Sequence, residues 1–195
     1  MKIYKYRLSA FSEEDYAYWY GLMHKNKKFR VDGYRNEDDR RRSVCAHMLA
    51  IRGISEQTGM SFSEIVLAED ENGKPFCENA DIHFSISHAD DMVICAVSCG
   101  PVGIDIEKVR PVKLSAAQRI CTENELEYIF GHSPSDEDFK KSDDDAILAR
   151  FFEIWVKKEA FGKKEGTGIA YNMKETDLMH IPCFYEDGYV FAIFE

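Results

Sequence analysis

"GPVGIDIEKVR", residues 100–110, alternates two isoleucines with two acids, Ile104, Asp105, Ile106 and Glu107, directly after a short apolar run. A period of two marks a strand whose faces meet different surroundings. Asp105 and Glu107 then share one face, roughly 6.6 Å apart. Carboxylates that close repel one another unless water solvates them or a cation bridges them. The pair is therefore either a strand end with both acids in solvent, or one side of a metal site.

The segment "AILARFFEIWVKKEAFGKKEG", 146–166, bears on that choice. Leu148, Phe151, Phe152 and Trp155 fall at i, i+3, i+4 and i+7, the stripe of a core-facing helix. Four residues further along the stripe stands Glu159, and four beyond it Lys163. An ionised glutamate on a buried stripe needs a partner. One solution is an i, i+4 ion pair with Lys163 on a helix that has left the core. The other is a third carboxylate aimed at the Asp105/Glu107 face, making an oxygen-rich site of the kind Mg²⁺ shares with substrate phosphates.

Outward from these two stretches, residues 4–8 read as a first strand and 12–23 as a helix with Ser12 as its N-cap. A basic loop over 24–42 leads into a helix in "EDDRRRSVCAHMLAIRGISEQTG" that ends near Gly59. Residues 63–76 suggest a strand entering a turn at Asn72-Gly73. "DIHFSISHADD" sets Ile82, Phe84 and Ile86 against His83, Ser85 and Ser87, the pattern of a half-buried strand. Residues 92–109 form two strands joined through Gly100-Pro101. Residues 115–130 are helical with a new start at Thr122, 133–145 form a polar loop, and 183–195 a hairpin turning at Asp187-Gly188.

The composition is globular, 45% hydrophobic and 31% charged over 195 residues. The longest apolar run is residues 92–97, far short of the roughly 20 needed to span a membrane. Six scattered cysteines without a CxxC pair suit reduced thiols in the cytoplasm. A net charge of −10 disfavours nucleic acid, and no membrane partner is expected. Eight Lys or Arg against four acids between His24 and Arg42 make a local basic patch suited to a small polyanion.

"GIDIE" at 103–107 and "WVKKEAFGK" at 155–163, with "GKP" at 73–75 and "FSISH" at 84–88, resemble the 4′-phosphopantetheinyl transferases of the surfactin-synthetase-activating (Sfp-like) type. The four motifs occur in the family's order and span most of residues 73–168. The resemblance implies an α+β protein of two similar, pseudo-twofold-related halves, 1–101 and 102–195, with the active site between them. The N-terminal half would contact the nucleotide of coenzyme A and the C-terminal half would carry the metal and catalytic residues. The implied reaction moves the phosphopantetheine arm of coenzyme A, the co-substrate, to a serine of an apo acyl or peptidyl carrier protein. Adenosine 3′,5′-bisphosphate is released. The enzyme is expected to act as a monomer.

By similarity, Asp105, Glu107 and Glu159 look like the ligands of Mg²⁺ or Mn²⁺. Glu159, or a water on that metal, would take the serine proton, and Lys163 would steady the pyrophosphate and leaving group. Lys158 is implied as a phosphate contact. Ser87 and His88 match the pair that grips the nucleotide end, and Lys74 of "GKP" the contact to adenosine or its phosphate. Arg42 or its neighbour Arg41 would bind the 3′-phosphate, with Lys25 and Lys28 as further basic contacts. After Ser-His the family has a small polar residue and glycine, whereas this chain has "ADD" at 89–91. A metal-dependent phosphoryl hydrolase and a non-catalytic coenzyme A-binding homologue are the alternatives.

Overall fold

The computed structural model describes residues 1–167 and 173–195; Gly168, the last residue of the motif span, lies outside them. The chain divides into two compact units, residues 1–102 with Glu195, and residues 103–194.

In the first unit, β1 (Lys2–Arg7) is followed by α1 (Glu13–Leu22), α2 (Lys25–Asp32), α3 (Glu37–Thr58), β2 (Leu67–Glu69), β3 (Pro75–Cys77), β4 (His83–Ala89) and β5 (Met92–Ser98). β5 is the centre of an antiparallel sheet ordered β1-β5-β4, with Tyr4 opposite Cys95 and Phe84 opposite Val97. Its burial along the whole strand explains the uninterrupted apolar run of 92–97. Helix α3 packs on this sheet through Val44, Met48, Ile51 and Ile54. Its approach is very close at Gly53, where a Cβ would stand 2.7 Å from both the Tyr4 ring and Val97 Cγ2.

The basic stretch 24–42 differs from the expected loop, since it forms α2 and the first turns of α3. Val31 is the single fully buried side chain of α2, too little apolar periodicity to announce a helix. Caps and ion pairs hold it instead. His24 Nδ1 accepts from the Asn26 N–H, while Lys27 and Arg30 both reach Glu69. Asn36 caps α3, whose first turn carries Glu37, Asp38 and Asp39. In β4 the alternation is also less clean than expected. Ser85 and Ser87 are buried alongside Ile82 and Phe84, while Ile86 is partly exposed.

The second unit runs β6 (Gly103–Lys108), β7 (Val112–Lys113), α4 (Ser115–Ile120), α5 (Glu123–Phe130), β8 (Lys141–Ser142), α6 (Asp145–Glu165), β9 (Cys183–Glu186) and β10 (Tyr189–Phe194). Here β10 is central, in the order β6-β10-β9. In both units the first strand pairs with the last, the last two strands form a hairpin, and a long helix covers the sheet. The polar stretch 133–145 is a loop except where β8 pairs with β7 and where α6 begins at its end.

Helix α6 starts on an Asp144 cap that accepts from the Ala146 and Ile147 N–H groups. The stripe Leu148, Phe151 and Phe152 is buried, with Trp155 packed against Phe151 at 5.9 Å between ring centres. Ile154, Val156 and Ala160 are buried too, so the helix is covered on more than one face. Among the described residues no helix is long and apolar enough to cross a membrane.

Candidate active site

The carboxylate pair on β6 is not a solvated strand end. Asp105 is 5% exposed and Glu107 is half-buried, while Ile104 and Ile106 fill the opposite face. Pairing with β10 sets Asp105 opposite Ala192 and Glu107 opposite Val190, which fixes the register in which the acids are presented. Helix α6 lies against this strand. The contact depends on the glycine that opens "GIDIE". A Cβ on Gly103 would fall 1.9 Å from the Ala160 carbonyl oxygen and 2.5 Å from the Lys164 nitrogen. Any side chain there would push α6, and Glu159 with it, off the strand.

Glu159 comes from α6 into the neighbourhood of the β6 acids, and its proton affinity reports the arrival. Burial, followed by the negative charge of Asp105 and to a smaller extent that of Glu107, lifts its carboxyl to about 7, against the opposing pull of Lys163. Lys163, one turn further on, places its Nζ 2.7 Å from Asp105 Oδ1. The i, i+4 pair considered from sequence is thus replaced by one between helix and strand, 58 residues apart. Glu107 accepts from Arg110 Nη1 at 2.9 Å. Among the described residues, no three His, Cys, Asp or Glu side chains are gathered tightly enough to hold a metal ion as they stand. The donor chemistry nonetheless fits a hard divalent cation: three carboxylates, two from one strand and one from the facing helix, with Lys163 on Asp105 and Arg110 on Glu107 as cationic neighbours.

Lys158 goes elsewhere. It is 1% exposed, with its Nζ 2.8 Å from Glu125 Oε2 and a second bond to the Thr176 carbonyl. Glu125 is fully buried, and it accepts from the Thr122 N–H at 2.8 Å and the Leu178 N–H at 3.1 Å. This ammonium, for which the resemblance implies a phosphate contact, is built into the interior of its unit. Glu125 had a visible signal, the Thr122-x-x-Glu125 capping box at the start of α5, but nothing local named Lys158 as its partner.

The nucleotide-contact candidates belong to the first unit. Ser87 is buried near the end of β4 and His88 is exposed beside it. Beyond them, Asp90 stands where the family pattern has glycine and adopts φ +49°, a left-handed conformation that aspartate tolerates better than most residues. Arg42 Nε donates to the Asp90 carbonyl at 2.9 Å and Nη1 to Asp39 at 2.8 Å, which ties α3 to this turn. Arg41 turns to Glu13 and the Phe11 carbonyl. Both arginines, with Ser9, Asp38, Asp90 and Asp91, line a cavity of about 320 Å³. Lys74 sits in the β2–β3 turn, its N–H donating to Asp70 Oδ1. Lys28 reaches back to the Gly21 carbonyl and the Tyr20 ring, whereas Lys25 is exposed at the start of α2.

Comparison with known proteins agrees with this layout unit by unit. A family model described as 4′-phosphopantetheinyl transferase, N-terminal, matches residues 10–100, and one described as 4′-phosphopantetheinyl transferase superfamily matches residues 101–187. The chain is 34% identical over 145 residues to the 4′-phosphopantetheinyl transferase gsp of Aneurinibacillus migulanus, covering 74% of this chain and 56% of that protein. It is 31% identical over 192 residues to the 4′-phosphopantetheinyl transferase Sfp of Bacillus subtilis (strain 168), covering 97% of this chain and 80% of that one. With the similarity running through both units and nearly the whole length, the chain belongs to the 4′-phosphopantetheinyl transferase family.

Proposed function

We propose that the protein transfers the 4′-phosphopantetheine arm of coenzyme A to a serine of an apo acyl or peptidyl carrier protein, with release of adenosine 3′,5′-bisphosphate. The observation that carries this is the grouping of Asp105, Glu159 and Lys163 between β6 and α6, inside a chain of this family. In the reaction the serine oxygen bonds to the phosphorus bearing the pantetheine arm, and the bond from that phosphorus to the bridging pyrophosphate oxygen breaks. Glu159, or a water on the metal it would hold, would accept the serine proton, with positioning supplying much of the effect. Lys163 offers a mobile ammonium to the pyrophosphate and the departing oxygen.

Asp105, Glu107 and Glu159 would hold Mg²⁺ or Mn²⁺, which when bound supplies neutralisation of the phosphate charge. Arg42, Lys74, Ser87 and His88 would bind the nucleotide end, with Lys25 and Lys28 as outlying cations. Lys158 is left out of that set because its ammonium is buried on Glu125. We take the enzyme to be a cytoplasmic monomer that uses neither nucleic acid nor membrane. Six free thiols and an acidic composition support that setting.

The test is the intact mass of an apo acyl carrier protein, and then of a peptidyl carrier, after incubation with this protein, coenzyme A and Mg²⁺. A gain of one phosphopantetheine arm, lost with chelator, is the expected result. Adenosine 3′,5′-bisphosphate without a mass gain would mark a hydrolase. Coenzyme A bound without either product would mark a non-catalytic homologue.

A further inference from the structure

The start of α3 carries a second cavity that the proposed function does not use. It measures about 340 Å³ and is lined by Glu13, Tyr16, Arg35, Glu37, Arg40 and Arg41. Arg42, which ties α3 to the Asp90 turn, does not line it; Arg41 borders both cavities. Arg41 is already committed, to Glu13 and the Phe11 carbonyl. Arg40 is held through Nε, which donates to the Tyr34 carbonyl at 2.8 Å. Its terminal nitrogens, and the whole guanidinium of Arg35, make no hydrogen bond or ion pair among the described residues. Arg40 is half-buried, where open donors call for an anion or for water. Tyr16 adds a hydroxyl that likewise has no hydrogen bond among the described residues, on a ring stacked against Tyr20 at 5.8 Å between centres. Burial, and after it the charge of Asp32, raises the proton affinity of this phenol, while Arg40 and Arg41 pull the other way. The group therefore stays an O–H donor within electrostatic reach of both guanidiniums.

With Arg41 and Glu13 cancelling, the lining sets two guanidiniums against the single carboxylate of Glu37, a local positive charge in a chain of net −10. Two planar forks and a phenol suit a group with three oxygens and two charges, whereas a carboxylate would fill one fork only. The volume is that of a small-molecule site and leaves room beyond a phosphate ion. We propose that this cavity binds a small phosphomonoester, with Arg35, Arg40 and the Tyr16 hydroxyl on its phosphate oxygens and its organic part along the cavity wall. The site is separate from the nucleotide contacts and does not depend on the transferase reading.

The experiment titrates phenyl phosphate and inorganic phosphate into the full chain by calorimetry, with and without saturating coenzyme A. The proteins are wild type, Arg35→Gln, Arg40→Gln and Arg42→Gln, each shown to be folded by a thermal melt. Arg35 is exposed, so its variant keeps the test open even if Arg40→Gln loses stability with the Tyr34 bond. Phenyl phosphate should bind equally well with and without coenzyme A, and equally in Arg42→Gln. Arg35→Gln and Arg40→Gln should each weaken it by about tenfold or more, the loss of a charge-assisted bond. Inorganic phosphate should bind at the same residues but less tightly; equal affinity for the two probes overturns the phosphomonoester assignment. Binding that is absent, or indifferent to both Arg35→Gln and Arg40→Gln, overturns the site. Displacement by coenzyme A, with binding lost in Arg42→Gln, assigns the anion to the nucleotide contacts and overturns a separate site.

Discussion

The buried pair Lys158–Glu125 offers a stability prediction whose size follows from its surroundings. Lys158→Met removes the ammonium and leaves the fully buried Glu125 carboxylate with two backbone N–H donors, from Thr122 and Leu178, and without its counter-charge. Breaking such a pair from one side costs about 3–5 kcal/mol. Glu125→Gln strands the Lys158 ammonium in the same interior and should cost a similar amount. The double variant removes both charges together, and the glutamine oxygen still accepts one of the two N–H groups. Its cost should be about 1–3 kcal/mol, the penalty of one imperfectly satisfied buried donor. The two substitutions would then be coupled by roughly 3 kcal/mol or more, a clear departure from additivity. Trp155 lies in the same unit, so its fluorescence during urea unfolding, in a Trp19→Phe background, reads the relevant transition. Single substitutions that each cost under about 1 kcal/mol, or a double variant equal to their sum, would refute the assignment of a charged pair sealed from water.

Further outcomes are expected at the site and in the first unit. Asp105→Asn and Glu159→Gln should each lower carrier-protein modification by about two to four orders of magnitude. Circular dichroism melts should show both variants folded, and near-normal turnover in either would remove that residue from the chemistry. His88→Ala should raise the KM for coenzyme A about tenfold with little change in kcat, the loss of one charge-assisted bond made equally in ground and transition states. The opposite split would place His88 among the groups that act in the transition state. His47, half-buried on α3, has its ring held down to about 4, first by burial and then by the charge of Lys27. The unfolded chain takes up this proton near 6.5, so the stability from keeping the ring neutral is complete above that pH and drains as pH falls toward 4. Urea midpoints should register a loss of about 2 kcal/mol at pH 5 relative to pH 7, most of it absent in His47→Gln. Equal losses in both proteins would exclude His47 as the source.

Local patterns carried much of the architecture. The period of two in 103–108, the apolar stripe at Leu148, Phe151 and Phe152, and the caps at Ser12 and Thr122 were legible because each is decided within a few neighbouring residues. The basic stretch 24–42 was not, because α2 is held by Asn26, Lys27 and Arg30 bonds rather than by an apolar face. Ser85 and Ser87 escaped the alternation rule for a related reason: a small hydroxyl fits an interior that periodicity reserves for apolar side chains. In the candidate site the motifs named the residues, whereas their partners lay beyond them. Lys158 faces Glu125, Arg42 faces the Asp90 carbonyl and Lys163 faces Asp105, and each pairing joins segments far apart in sequence.

These long-range pairings also explain why a buried strand carries two carboxylates. Strand β6 is buried on its isoleucine face, and α6, which Gly103 admits to close range, lies against the strand. A hydrophobic residue at 105 would pack under such a helix at lower cost than an aspartate that must be compensated. The helix brings a further acid at 159 and an ammonium at 163 to the same face, where Lys163 meets Asp105 and Arg110 meets Glu107. Burial, and after it the charge of Asp105, raises the proton affinity of Glu159 there. A few residues away the interior closes a like problem another way, where Lys158 meets Glu125 with both carboxylate oxygens engaged. One α-helical turn thus holds Lys158, paired in the interior with Glu125, and Glu159, buried beside Asp105, and it is the second that neighbours the strand whose acids match the family motif.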